Sequence, residues 1–121
     1  MVRVSHRTRA AQRQVAAGLR SEGKTWVEIA YALEARRPGL NSRSAMRVAH
    51  AWSQSEAAEA WNRLWPDNPK TATEIGLWEL RRPGFATLDK LARLYECSVS
   101  DLVADLGVYR HLDSAHARVG S

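Results

Sequence analysis

Apolar residues recur along this chain at helical spacing. Ile29, Ala30 and Leu33 form one stripe, Leu88, Leu91, Ala92 and Leu94 a second, and Leu102 with Leu106 a third. Residues three and four apart share one side of a helix, so each stripe marks a face that seeks burial. No segment alternates apolar and polar residues long enough to argue for a strand. The helix starts are marked as well: Thr25-Trp-Val-Glu28, Ser53-Gln-Ser-Glu56 and Thr71-Ala-Thr-Glu74 have capping-box spacing, and Ser98-Val-Ser-Asp101 is a weaker version. In such a box the hydroxyl accepts from the third amide of the helix and the carboxylate reaches back to the cap amide. Arg36-Arg-Pro-Gly39 and Arg81-Arg-Pro-Gly84 mark two stops, where basic groups suit the negative end of the helix dipole and Pro with Gly blocks continuation. These signals predict helices over residues 8–22, 26–36, 42–51, 54–65, 71–80, 87–95 and 99–106, an all-α chain. The pieces beginning at Thr25 and Thr71 share start and stop residues about 45 positions apart. Shared capping chemistry accounts for this better than a duplicated unit, because the two differ in length and agree in little else.

Charge divides the chain. Residues 1–50 carry ten Lys/Arg against three Asp/Glu, a net +7, and residues 51–121 carry eight against ten, a net −2. The basic half favours an anionic partner such as nucleic acid, although a solvated basic surface has the same composition. A chain of 121 residues suits one domain or one domain with an appendage. One cysteine allows no internal disulfide and no cysteine-based zinc site. No apolar run is long enough for a membrane span, and the segment Met1–Arg9 lacks the apolar core of a signal peptide. A cytoplasmic, nucleoid-associated protein is therefore expected.

Three segments carry more specific information: Arg47-Val-Ala-His-Ala-Trp-Ser53-Gln54-Ser-Glu56, Thr71-Ala-Thr-Glu-Ile75-Gly-Leu-Trp78-Glu79, and Leu88-Asp-Lys-Leu91-Ala-Arg-Leu94-Tyr-Glu-Cys-Ser98-Val-Ser-Asp-Leu102. Together they resemble the five-helix, lambda-repressor-like DNA-binding domain of the Cro/cI-type (XRE-like) regulators. That family runs Arg, then Leu-Ser-Gln, an apolar helix, Thr-Ile-Ser-x-Trp-Glu, and Leu-x-x-Leu-Ala-x-x-Leu-x-Val-Ser. The resemblance covers about residues 43–106. It implies a helix-turn-helix domain over 42–106. The residues outside it read from their own pattern as a basic helical extension over 1–41, with Trp26 and Tyr31 supplying apolar surface to pack against that domain, and a tail over 107–121. The chain departs from the pattern between Trp61 and Ile75, where Asn62 to Lys70 add about seven residues.

The resemblance also implies a partner and an interface. Double-stranded DNA would take the helix beginning at Thr71 in its major groove, with the helix beginning at Gln54 over the backbone. Gln54 then bonds a phosphate oxygen at a helix N-terminus. Ala72, Thr73 and Leu77 match the base-reading positions, with Lys70, Thr71 and Glu74 beside them. The set is poor in polar readers: Ala and Leu can touch only a thymine methyl group, while Thr73 can also hydrogen-bond. Arg81 and Arg82 follow, where guanidinium groups would grip phosphates. Arg47 and Glu79 match a salt bridge that the family often forms between the first and third core helices. Arg43, one turn earlier, is expected to face solvent and to be available for phosphate. A second arrangement stays open: the helices over 8–22 and 26–36, followed by Ser42-Arg43, also have helix-turn-helix spacing, and Arg43 and Arg47 would then read bases. Arg3, Arg7, Arg9 and Arg13 form a basic arm suited to a minor groove or simply to solvent.

No catalytic constellation is present in the sequence, and His6, His50, His111 and His116 are scattered without metal-ligand spacing. No cofactor, small-molecule substrate or enzymatic role is expected. Cys97 lies in the turn where the resembling family usually has Gly and reads as a half-buried small residue, and the five tryptophans read as packing. The expectation is a DNA-binding transcriptional regulator, a homodimer on a two-fold site if it follows the family's habit. A protein-interaction module on the same fold, an antitoxin or an adaptor, is the alternative.

Overall fold

Local capping chemistry sets five of the seven helix starts among the described residues. The computed structural model describes residues 6–37 and 39–106. Among these residues there are seven helices and no strand: α1 (His6–Ser21), α2 (Trp26–Arg36), α3 (Ser42–Ala49), α4 (Gln54–Leu64), α5 (Ala72–Leu80), α6 (Phe85–Tyr95) and α7 (Val99–Leu102). Thr25, Ser53, Thr71 and Ser98 each accept from the amide three residues on, and the acid at that position returns to the cap amide. A fifth box opens α3, where Asn41 and Ser44 bond reciprocally. Serine in place of Glu or Gln at the third helical position hides it from the usual pattern. α6 starts at Gly84, after Pro83, with no side-chain cap.

Two helices stop two or more residues earlier than the sequence predicts. α3 ends at Ala49 because Ala51 takes a left-handed conformation, φ 61°, which turns the chain toward the Ser53 cap. For a residue with a Cβ that conformation costs roughly 1 kcal/mol. α7 ends at Leu102 because the following residues are drawn across the start of α3: the Asp105 amide donates to Ser42 Oγ and its carboxylate meets Arg43. In the turn between α6 and α7 the left-handed residue is Glu96, φ 55°, rather than Cys97. Burial pushes the Cys97 thiol up to about 12, so it is protonated at neutral pH and a poor nucleophile.

The main core draws on α1, α2, α3, α4, α6 and α7. Ala16, Ile29 and Leu33 lie in the same buried cluster as Met46, Trp61, Leu88, Leu91, Tyr95 and Leu102. Residues before 41 thus share one core with those after it. A second, smaller cluster joins α4 to α5: Ala57 and Ala58 lie against Ile75, with Trp52 and Trp78 bridging to the main core. The two alanines carry little bulk, which lets α5 lie close on α4. Tyr31, expected to pack between the extension and the rest, is half exposed instead. Its position on α2 lies off the stripe of Ile29, Ala30 and Leu33.

The expected packing partner Trp26 belongs to a layered stack. The Arg20 guanidinium lies 3.9 Å from the Trp26 ring, Trp26 stacks on His50 at 4.0 Å, and His50 stacks on Trp52 at 4.7 Å. His50 Nε2 is 2.8 Å from the Tyr95 carbonyl, so a neutral ring protonated at Nε2 satisfies that oxygen. Burial holds the His50 pKa below its ordinary value, against opposing contributions from the Tyr95 hydrogen bond and Glu96. The native state therefore binds fewer protons at this site than the unfolded chain does. Its contribution to stability is complete above pH 6.5, the ordinary value, and falls as pH drops through the lowered native value. Thermal melts of the wild-type chain between pH 7.5 and 5 are expected to show falling Tm, and His50→Gln should flatten that limb. A limb unchanged by His50→Gln would assign the acid sensitivity elsewhere.

The segment between α4 and α5 is ordered by its own polar groups. Asn62 behaves as a clamp, accepting from the Lys70 amide at 2.7 Å and donating to the Lys70 carbonyl at 3.1 Å. Trp61 Nε1 donates to the Asn68 carbonyl, and the Trp65 ring tilts against Trp61 at 4.7 Å. The extra residues therefore form a closed loop that delivers Thr71 to its cap.

Candidate nucleic-acid interface

α5 is the element around which the polar side chains of α3 are organised. Its last carbonyls have no partner within the helix. Asn41 Nδ2 donates to the Glu79 carbonyl at 2.6 Å, and Arg43 Nε donates to the Trp78 carbonyl at 3.0 Å. The remaining Arg43 nitrogens reach the Leu102 carbonyl at 2.9 Å, Asp105 at 3.2 Å and the Glu79 carbonyl at 3.4 Å. A guanidinium suits this position twice, as a fork of donors and as a positive charge at a helix C-terminus. Arg43 is consequently 4% exposed. This corrects the expectation that it faces solvent and is available for phosphate.

One turn along α3, Arg47 and Glu79 form a bidentate pair, with Nε to Oε2 at 2.6 Å and Nη2 to Oε1 at 3.1 Å. Arg47 Nη1 also donates to the Trp52 carbonyl at 2.8 Å, which fixes the approach to the Ser53 cap. Gln54, the first residue of α4, donates from Nε2 to Glu79 Oε1 at 3.3 Å. Its amide lies close over α5: a Cβ added at Gly76 would stand 3.1 Å from Gln54 Nε2. A glycine at 76 thus makes room for the side chain of Gln54. Both Arg43 and Arg47 are engaged in holding α5, an arrangement that leaves neither guanidinium extended from the surface.

Ile75, Trp78 and Glu79 occupy the inner side of α5. The outer side carries Thr73, Leu77 and Leu80, all exposed, with Ala72 and Gly76 half-buried. Thr71 and Glu74 are committed to the cap, and Lys70 reaches Glu74 at 3.6 Å with its ammonium near the Trp78 ring. Arg81 and Arg82 are exposed directly after the helix. Thr73 is therefore the one outward hydrogen-bonding side chain between Ala72 and Leu80 on this face.

Across from that face stands α1. Arg9, Gln12 and Arg13 line one side of a cleft of about 850 Å3, and Ala72, Thr73, Leu77 and Leu80 line the other. Arg13 pairs with Glu56 of α4 at 3.1 Å, both side chains half exposed. Gln12 is 8% exposed, and its Nε2 has no hydrogen-bond partner among the described residues. Gln12, Asn41 and Leu80 belong to this region although no local sequence pattern marks them. Arg3 lies outside the described residues.

Among the described residues, no group of three or more His, Cys, Asp or Glu is placed to hold a metal ion, and no helix is long and apolar enough to cross a membrane. No family model, curated protein or solved structure matches the chain. The functional reading accordingly rests on the site itself.

Proposed function

We propose that this chain is a sequence-selective, double-stranded DNA-binding protein of the transcriptional-regulator type, built on the lambda-repressor-like arrangement that its sequence resembles. α5 is the reading helix and α4 the helix set over the DNA backbone. The observation that carries this reading is the clamp of Asn41, Arg43, Arg47 and Gln54 on α5, which fixes that helix with Thr73 and Leu77 outward. A recognition helix must be held rigidly by groups that take no part in readout, and this is how α3 is used. Thr73 offers the polar contact, Leu77 and Ala72 meet thymine methyl groups, and Arg81 and Arg82 meet phosphates. Two-fold pairing of such domains would space half-sites about one helical turn apart.

The test is fluorescence anisotropy of the chain with the duplex upstream of its own coding sequence and with a scrambled duplex, across a salt series. Tighter binding to the native duplex at physiological salt supports the reading. Equal, steeply salt-dependent binding to both reduces it to non-specific association, and no binding to either removes it. Arg81→Ala with Arg82→Ala should weaken binding to every duplex and lower the log–log salt slope by about 2, near one for each phosphate left without its guanidinium. An unchanged slope would take both residues out of the interface.

One observation favours a second reading, a protein-interaction module. Leu77 and Leu80 leave 49% and 62% of their surface exposed on the outward side of α5. Adjacent exposed leucines are a feature of protein contacts more than of base readout.

A further inference from the structure

We propose that the cleft between α1 and α5 is a docking groove for an acidic amphipathic helix of a partner protein. Leu40, Val48, Trp52, Leu77 and Leu80 give the cleft an apolar part, interleaved with the polar Asn41, Ser44, Ser53, Gln54, Ser55 and Thr73. The charges at the base of the cleft are already matched within the protein, since Glu79 is taken by Arg47 and Gln54. With those charges matched, the exposed Leu77 and Leu80 are what the cleft offers to leucine-sized side chains of a partner. The opposite wall carries two arginines of α1, Arg9 and Arg13, the second paired with the half-exposed Glu56. Exposed leucines beside a basic rim suit a helix with an apolar stripe flanked by carboxylates, the anchors falling at i, i+3, i+4 and i+7.

The Arg13–Glu56 pair is exposed on both sides. Exchanging Glu56 for a partner carboxylate would therefore cost Arg13 little. A helix seated here covers Thr73 and Leu77, so the docked partner and a DNA duplex would compete for α5. Docking itself does not depend on the DNA reading, although the competition does.

The experiment uses the full chain and a fluorescein-labelled designed peptide of about five helical turns, with leucines at i, i+3, i+4 and i+7 and glutamates flanking them. A control peptide replaces each glutamate with lysine. Saturable anisotropy with the glutamate peptide, at least tenfold weaker with the lysine peptide, is the expected result. Leu80→Glu and the pair Arg9→Glu with Arg13→Glu should each weaken it at least tenfold, while Arg63→Glu, on the exposed end of α4, should leave it unchanged. Circular dichroism confirms that each variant is folded. No saturable binding, equal binding of both peptides, or an equal loss with Arg63→Glu would overturn the proposal. So would binding of labelled single-stranded DNA, lost with Arg9→Glu and Arg13→Glu, in place of the peptide; the cleft would then be a strand channel. Peptide binding retained by a chain that binds no duplex would sink the DNA reading and leave this one standing.

Discussion

Arg43→Ala is expected to lower the unfolding free energy by about 3–5 kcal/mol, the range for breaking a buried charged network by removing one partner. Arg43 sits where three elements meet. From α3 it bonds the carbonyls of Trp78 and Glu79 at the end of α5, the Leu102 carbonyl at the end of α7, and the Asp105 carboxylate beyond it. Truncation leaves these acceptors in a space too closed for free hydration, and buried acceptors without donors are what make such losses large. Lysine should recover little, because one ammonium on a flexible stem cannot span carbonyls that the guanidinium fork reaches together. Urea denaturation at neutral pH reads this directly through the midpoint at constant m value. A loss below about 1 kcal/mol, the scale of an ordinary solvent-exposed contact, would mean that the network is dispensable.

That same residue shows what was legible in the sequence and what was not. The starts of α2, α4, α5 and α7 could be read because a capping box is a contract between residues three apart, and both parties are visible in a short window. α3 shows the limit of that window: Asn41 and Ser44 form a box with an uncommon partner. The partners of Arg43 stand 35 to 62 residues away, and no local pattern distinguishes a surface arginine from one that ties three helices together. The early end of α7 has the same origin, since the pull of Ser42 and Arg43 on Asp105 acts across the fold. Tyr31 fails as a predicted contact because size alone was its warrant, and helical phase places it outside the buried stripe. The candidate site was legible in one part: α5, its cap and its outward residues follow from the run Thr71 to Glu79. The cleft was not legible, because one wall lies at residues 9–13 and the other at 72–80, and only the packing of α1 brings them together.

Glu79→Ala is the second large effect, and it separates positioning from stability. Glu79 holds Arg47 through two hydrogen bonds and accepts a third from Gln54, with both partners of the ion pair nearly enclosed. Its removal leaves the Arg47 guanidinium unpaired at the base of the cleft, only partly hydrated, which costs about 3 kcal/mol, the low end of the range for a buried pair. Replacing both partners by apolar residues of similar volume, Arg47→Met with Glu79→Leu, should cost far less than Glu79→Ala alone, because no uncompensated charge remains. The coupling between the two positions, read from a double-mutant cycle by urea denaturation, should then be well above about 0.5 kcal/mol. The double apolar variant is the informative one for function. It keeps a folded chain but gives Gln54 no carboxylate and α5 no directional bond to α3 at this point. If the pair exists to aim α5, duplex binding by this variant should lose its preference for the native sequence while the non-specific component survives. Retained preference would mean that Asn41, Arg43 and the Ala57–Ala58–Ile75 contact are sufficient to orient the helix, and that the ion pair contributes no more than its share of stability.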